Sequence, residues 1–168
     1  MKTVTALKGW SVELTRILKV GLVGCGTIAL AAHLPCYRMN PQARVVAVTD
    51  TIEGKARHTA RAFNVEKWYT DFGTMLRDKE IDAVDICSPP SVHAEHAIMA
   101  AEGRKHILCE KPISTNMEDA QDLESAVKRA GVMFMTGDDG IATYRWPTGS
   151  DMDKPSTWAN LTSPAPWF

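Results

Sequence analysis

Long apolar runs are absent from this sequence of 168 residues. No stretch reaches the roughly 18 uninterrupted apolar residues that a membrane-spanning helix requires. A large charge of one sign is also absent, since 19 basic residues nearly balance 20 acidic residues. A protein that binds nucleic acid through a strongly basic surface is therefore not expected. These absences predict a small soluble protein with neither a membrane nor nucleic acid among its partners.

Cysteine is scarce, and no two cysteines form a Cys-x-x-Cys pair. Three of the four lie in apolar runs, where a free thiol behaves as a small hydrophobic side chain. This favours a reducing cytoplasm over a disulfide framework. Residues 1–17 also lack the apolar core of a secretory signal, so we interpret them as an N-terminal extension, with a weak transit peptide as the alternative.

Six short apolar runs alternate with longer amphipathic segments from Leu18 onward. Two of these segments, residues 91–102 and 115–130, have helical spacing, and the second is expected to begin with a Thr115–Glu118 capping box and to end at Gly131. The alternation predicts an α/β fold with a doubly wound parallel sheet in the order 3-2-1-4-5-6. The predicted strands centre near Val23, Val46, Trp68, Ile86, Ile107 and Phe134.

The sequence changes character after Thr136. Residues 137–168 contain three of the five tryptophans and four of the nine prolines, without apolar periodicity. Because proline interrupts helices and central strands, this segment is interpreted as an irregular tail.

A glycine-rich turn follows the first predicted strand. Gly24 permits a tight turn, Gly26 lets the backbone approach a pyrophosphate, and Ala29 is small enough for close packing of helix against strand. The pyrophosphate is expected on Gly24, Gly26, Thr27 and Ile28, at the start of a helix. Asp50 ends the second strand, where an acid can accept hydrogen bonds from an adenosine ribose. A plain glycine turn with a solvated aspartate is the alternative.

Cofactor preference is indicated by the residues directly after Asp50. These are Thr51 and Ile52, with no arginine to accept a 2′-phosphate. The sequence therefore predicts NAD as the cofactor, with NADP as the alternative.

Two further segments follow predicted strands and so reach the same edge of the sheet. The first runs from Ser88 through two prolines to His93, which is expected to point into the ligand crevice. His93 and His96 are three residues apart, but no third ligand has a useful spacing, so no metal site is predicted. An exposed helix histidine is the alternative for each.

The second segment is Glu110-Lys111-Pro112, directly after the fifth strand. A lysine there can hydrogen-bond a substrate hydroxyl or the nicotinamide ribose, and it can stabilise a developing alkoxide. A solvated ion pair at a strand end is the alternative.

Together these segments resemble the glucose–fructose oxidoreductase, inositol dehydrogenase and rhizopine-catabolism (Gfo/Idh/MocA) family. The resemblance rests on VGLVGCGTIA, VTD, DICSPPSVHAEHA and CEKPIS and covers residues 18 to about 136. It implies a Rossmann fold that binds NAD or NADP, with hydride transfer at a sugar, polyol or related carbinol. It also implies that Lys111 is the catalytic lysine, that Glu110 and His93 line the cofactor pocket, and that Gly24, Gly26 and Asp50 hold the dinucleotide.

The sequence also departs from the family pattern. Family members continue into a second α/β domain that carries a catalytic Asp-x-x-x-His, and no histidine here has an aspartate four residues before it. We therefore divide the chain into an extension (1–17), an NAD(P)-binding domain (18–136) and a tail (137–168), without the second domain. An oxidoreductase of doubtful turnover, a non-catalytic dinucleotide-binding module and a partner-binding protein all remain open, as does the oligomeric state.

Overall fold

A six-stranded parallel sheet organises the computed structural model, which describes residues 17–137. Its order is β3-β2-β1-β4-β5-β6, and every neighbouring pair is parallel, which confirms the prediction. Residues 1–16 and 138–168, and with them most of the predicted extension and tail, lie outside the described residues. The strands are β1 (Leu18–Val23), β2 (Ala43–Thr49), β3 (Lys67–Tyr69), β4 (Ala83–Ile86), β5 (His106–Cys109) and β6 (Phe134–Thr136).

Helices connect successive strands, as parallel pairing requires. The first begins with a π-helical turn, Ala29–His33, that runs directly into α1, and a 3₁₀ turn, Pro90–Val92, precedes α4. The α-helices are α1 (Leu34–Met39), α2 (Glu53–Phe63), α3 (Phe72–Leu76), α4 (His93–Glu102) and α5 (Met117–Ala130). None of the helices within residues 17–137 combines the length and the apolar character that a membrane span needs.

The start of α5 differs by one residue from the expectation. Its N-cap is Asn116, whose side-chain oxygen accepts from the Asp119 amide at 2.9 Å, and not Thr115. Asparagine is at least as good an N-cap as threonine, so the adjacent residue competes successfully for the same role. The predicted end is confirmed, because Gly131 caps the helix in the left-handed conformation at φ 65°.

Apolar side chains cover both faces of the sheet. On one face Val84 and Ile86 of β4 pack in a cluster with α3, α4 and α5. On the other face Leu22 and Val48 pack against the π-helical turn, α1 and α2, in a cluster that also contains Cys87. Because side chains alternate along a strand, Asp85 lies on the α1 side of β4, with no exposed surface.

The strand order places the connecting loops where ligands of such sheets bind. Strand β1 is flanked by β2 on one side and β4 on the other, so the chain changes direction across the sheet at this point. The loops after β1, β4 and β5 leave the same carboxyl edge. Open α/β sheets bind ligands in the crevice at such a switch point.

Candidate functional site

The turn after β1 can hold only glycine at its first position. Gly24 has a φ of 93°, and a Cβ there would lie 2.6 Å from backbone atoms of Cys87 and Ser88. A side chain at Gly24 would therefore strain the turn and collide with the loop after β4. Because Gly24 has no side chain, the loop after β1 and the loop after β4 are in direct backbone contact.

The second glycine of the turn serves a different purpose. A Cβ at Gly26 would meet no atom within 4 Å, so nothing in the described residues demands a glycine there. The Leu30 amide donates to the Gly26 carbonyl at 3.1 Å, which begins the helical segment. The open space at Gly26 fits an external group that approaches the backbone closely, and a helix start favours a negatively charged one.

Asp50, directly after β2, is held against the glycine turn. One carboxylate oxygen accepts from the Cys25 amide at 3.0 Å, and the other accepts from the Ile52 amide at 2.9 Å. The acid at the end of β2 and the turn after β1 thus form one structural unit. The Cys25 thiol between them is not a nucleophile, because burial raises its pKa to about 11.

The loop after β4 is held together by its two histidines. His96 Nδ1 lies 3.0 Å from the Ser88 hydroxyl. His93 is buried, with Nε2 at 2.6 Å from the Ser88 carbonyl oxygen and Nδ1 at 2.7 Å from the Pro112 carbonyl oxygen. The His93 ring thus joins the loops after β4 and β5.

Glu110 and Lys111 leave the sheet beside these loops. The Glu110 amide donates to the Ile86 carbonyl at 3.0 Å, which extends the β4–β5 pairing by one residue. The Lys111 amide donates to the Glu110 carboxylate at 3.3 Å, and Lys111 itself is exposed. The predicted lysine is therefore accessible at the carboxyl edge of the sheet.

His33 is a site residue that could not be singled out from the sequence. At the end of the π-helical turn its ring lies between two carboxylates, with Nδ1 at 2.8 Å from Asp85 and Nε2 at 2.8 Å from Glu110. The signal that could have revealed it is Asp85, an acid in the middle of an apolar strand. A buried acid needs a partner, and the helix that covers β4 is the place to search for one.

The two carboxylates beside His33 stabilise its protonated form. Burial lowers the pKa of His33, but its hydrogen bonds and charge interactions with Asp85 and Glu110 outweigh burial and raise that pKa to about 9. The Cys87 thiol lies 3.6 Å from the second Asp85 oxygen. His33, Asp85 and Cys87 offer metal-ligand atoms within 4.8 Å of one another, but their mutual hydrogen bonds already satisfy these buried groups.

Another groove lies at the opposite, amino edge of the sheet. It has a volume of about 520 Å³ and lies between α1, β2 and the end of α2, with Tyr37, Arg44 and Phe63 among its lining residues. None of the residues that the sequence predicts for the site lines this groove.

The order of the parallel sheet, the glycine turn and the Asp50 contact define a class of protein, the oxidoreductases with a dinucleotide-binding Rossmann domain. The family model described as "Oxidoreductase family, NAD-binding Rossmann fold" (Gfo/Idh/MocA) matches residues 18–138. The chain belongs to this family, which confirms the resemblance drawn from the sequence motifs.

Three comparisons illustrate the similarity. The chain is 33% identical to myo-inositol 2-dehydrogenase of Thermotoga maritima, over 71% of this chain and 36% of that protein. The WlbA dehydrogenase of Bordetella pertussis, crystallised with NADH and UDP-GlcNAcA, is similar with a TM-score of 0.68 and 28% identity, over 73% of this chain and 37% of that chain. The 3-ketoreductase KijD10 of Actinomadura kijaniata, crystallised with NADP and TDP-benzene, has a TM-score of 0.69 and 28% identity, with the same coverage of each chain. The chain thus spans little more than a third of the length of these relatives.

Proposed function

We propose that the chain binds NAD(H) across the carboxyl edge of its sheet and serves hydride transfer between the nicotinamide and a sugar, polyol or related carbinol. The observation that carries this proposal is the contact between the Asp50 carboxylate and the Cys25 amide. It joins the acid at the end of β2 to the glycine turn after β1, at the switch point of the sheet. This pairing is the arrangement by which Rossmann domains recognise an adenosine ribose beside a pyrophosphate.

Each residue of the turn has a defined role in this proposal. Gly24 shapes the turn, while Gly26, Thr27 and Ile28 offer backbone at the start of the helix for the pyrophosphate. The open space at Gly26 supports this assignment, because a phosphate needs close access to the backbone there. Asp50 accepts hydrogen bonds from the ribose hydroxyls and is already oriented by the Cys25 and Ile52 amides.

Charge at Asp50 supports NAD over NADP. A 2′-phosphate would bring negative charge next to this carboxylate, and Thr51 and Ile52 offer no positive charge to offset it. Related structures hold NADH in one protein and NADP in another, so the family accommodates both cofactors. We therefore propose NAD as the preferred cofactor and NADP as the weaker one.

The loops after β4 and β5 form the nicotinamide end of the proposed site. The bound nicotinamide supplies a ring carbon that accepts or returns the hydride. Lys111, exposed at the edge, hydrogen-bonds the substrate hydroxyl or the nicotinamide ribose and stabilises negative charge on the reacting oxygen. Ser88, His93 and Glu110 border the cofactor and position the loops, as the His93 contacts with the Ser88 and Pro112 carbonyls support.

Within the proposal, residues 18–136 form the dinucleotide-binding domain, flanked by an extension and a tail. The four cysteines are free, which suits a reducing cytoplasm. A non-catalytic dinucleotide-binding module is the second candidate. The exposure of Lys111 favours it, because a lysine open to water does not by itself position a substrate.

Titration of the folded chain with NADH and NADPH tests the proposal, with two alanine variants as a matched pair. Gly26→Ala places a methyl group in open space, so the free energy of unfolding should change by less than about 0.5 kcal/mol. NADH affinity should nevertheless fall about tenfold or more, since the methyl group blocks the phosphate. Gly73→Ala in α3, whose Cβ would meet only ordinary contacts at 3.6 Å and beyond, should bind NADH as the wild type does. Equal NADH affinity in all three proteins, or no binding at all, would contradict the proposal.

A further inference from the structure

The two hydrogen bonds of His33 require a doubly protonated ring. Ionised carboxylates only accept hydrogen bonds, and each ring nitrogen lies 2.8 Å from one, Nδ1 from Asp85 and Nε2 from Glu110. A neutral imidazole has a single N–H and can donate to one of them only. The positively charged ring therefore connects three segments: the helix that follows the glycine turn, strand β4 and the Glu-Lys-Pro loop.

The two buried thiols near this ring stay neutral around pH 7 and above it. Burial raises the pKa of the Cys87 thiol well above its ordinary value and that of the Cys109 thiol to about 12, so neither becomes a thiolate. On the loop side Lys111 adds one positive charge next to Glu110. Neither thiol therefore adds negative charge beside Asp85 and Glu110 between neutral pH and pH 9.5.

Loss of a proton from His33 affects the two carboxylates unequally. Asp85 has no exposed surface, whereas the Glu110 side chain is 16% exposed. Loss of a hydrogen-bond donor costs more free energy at a buried ionised carboxylate than at one that water can reach. The remaining N–H therefore stays on Nδ1, facing Asp85, and the hydrogen bond to Glu110 is the one that is lost.

We propose that His33 is a positioning residue of the dinucleotide site, which in its charged form fixes Glu110 and the adjoining Lys111 relative to the glycine turn and releases them when Nε2 loses its proton. This inference rests on the proposed function, because the loop that His33 fixes is the proposed nicotinamide end of the site. His33 itself is 1% exposed and belongs to the structural layer beneath the site. It acts through Glu110.

The dependence of NADH affinity on pH provides a readout that a merely structural residue would not change. In the wild type the Kd for NADH should rise about three- to tenfold between pH 7 and pH 9.5, because a hydrogen bond to a charged group is lost from the loop. His33→Gln should bind NADH more weakly by a similar factor at pH 7 and show no further change with pH. The difference between the two profiles isolates the part of the pH dependence that requires the His33 ring. His58→Gln, at an exposed position of α2, should follow the wild-type profile.

A second variant should shift the pH midpoint of the change in NADH affinity instead of abolishing the pH dependence. Asp85→Asn takes away one of the two charges that hold the proton, so the midpoint should shift down by about one pH unit or more. Nitrogen NMR of the ligand-free wild type should show both His33 ring nitrogens protonated at pH 7 and one of them deprotonated with the same midpoint as the affinity change. Unfolding curves at each pH confirm that every protein is folded where its affinity is measured.

The outcomes separate this inference from the proposed function. NADH binding that stays constant from pH 7 to pH 9.5 in the wild type, while His33 titrates in the NMR spectra, would overturn the positioning role alone. A neutral His33 ring at pH 7 would also overturn it. The absence of NADH binding at pH 7 would overturn the proposed function, and the positioning role with it.

Discussion

Replacing Gly24 by alanine should perturb the fold at the point where the candidate site is built. An L-residue held at the observed φ of 93° has a conformational cost of about 1–2 kcal/mol. The added Cβ would also lie 2.6 Å from Cys87 and Ser88 backbone atoms, and forcing a group into a packed region costs about 1–3 kcal/mol. Together the free energy of unfolding should fall by about 2–5 kcal/mol, a large part of the stability of a domain of this size.

Thermal and denaturant unfolding of purified Gly24→Ala and wild type measures this loss. A decrease of this size lowers the midpoint of thermal unfolding by about 10 °C or more. Gly73→Ala is the matched control, since its Cβ would meet only ordinary contacts and its stability should stay within about 0.5 kcal/mol of the wild type. A Gly24→Ala protein as stable as the wild type would show that the β1 and β4 loops are not in direct backbone contact.

Three further predictions concern the charged groups. Asp50→Asn should reduce the preference for NADH over NADPH by about tenfold, measured as the ratio of the two Kd values, because the repulsion of the 2′-phosphate is lost. Since folding raises the pKa of His33 from 6.5 to about 9, its contribution to stability is complete below pH 6.5 and disappears as the pH rises to about 9. Urea titrations across this range should show a loss of up to about 3 kcal/mol in the wild type and a flat profile in His33→Gln. The purified chain should form little NADH from polyols or sugars. An exposed Lys111 does not by itself hold a substrate in place, and such positioning contributes up to about 7–11 kcal/mol to catalysis. Strong turnover that Lys111→Ala abolishes would contradict this expectation.

The parts of the fold that depend on local pattern could be predicted from the sequence. Short apolar runs alternate with helical segments, and the chirality of parallel crossovers then leaves few possible strand orders. The contact between Asp50 and the glycine turn was likewise predictable, because the ends of β1 and β2 are neighbours in this order. The N-cap of α5 could not be predicted, because Asn116 and Thr115 are both good N-caps and only the backbone conformation decides between them.

Features that depend on long-range side-chain contacts could not be predicted. His33 and Glu110 are 77 residues apart, and their contact depends on the π-helical turn that ends at His33. A π-helical turn has no reliable sequence signal. The burial of His93 has a similar origin, because its partner at Pro112 lies on a different loop. The sequence indicates which residues carry charge or a ring, but not which of them face one another.

Backbone amide NMR of the chain with and without NADH tests most directly the claim that the cofactor binds at the carboxyl edge of the sheet. We expect the largest shift changes at the amides from Gly24 to Ala29 and at Asp50, with further changes at Ser88 and Lys111. NADPH should produce the same pattern at higher concentration. Changes confined to the opposite groove around Tyr37, Arg44 and Phe63, or no changes at saturating NADH, would contradict binding at this edge.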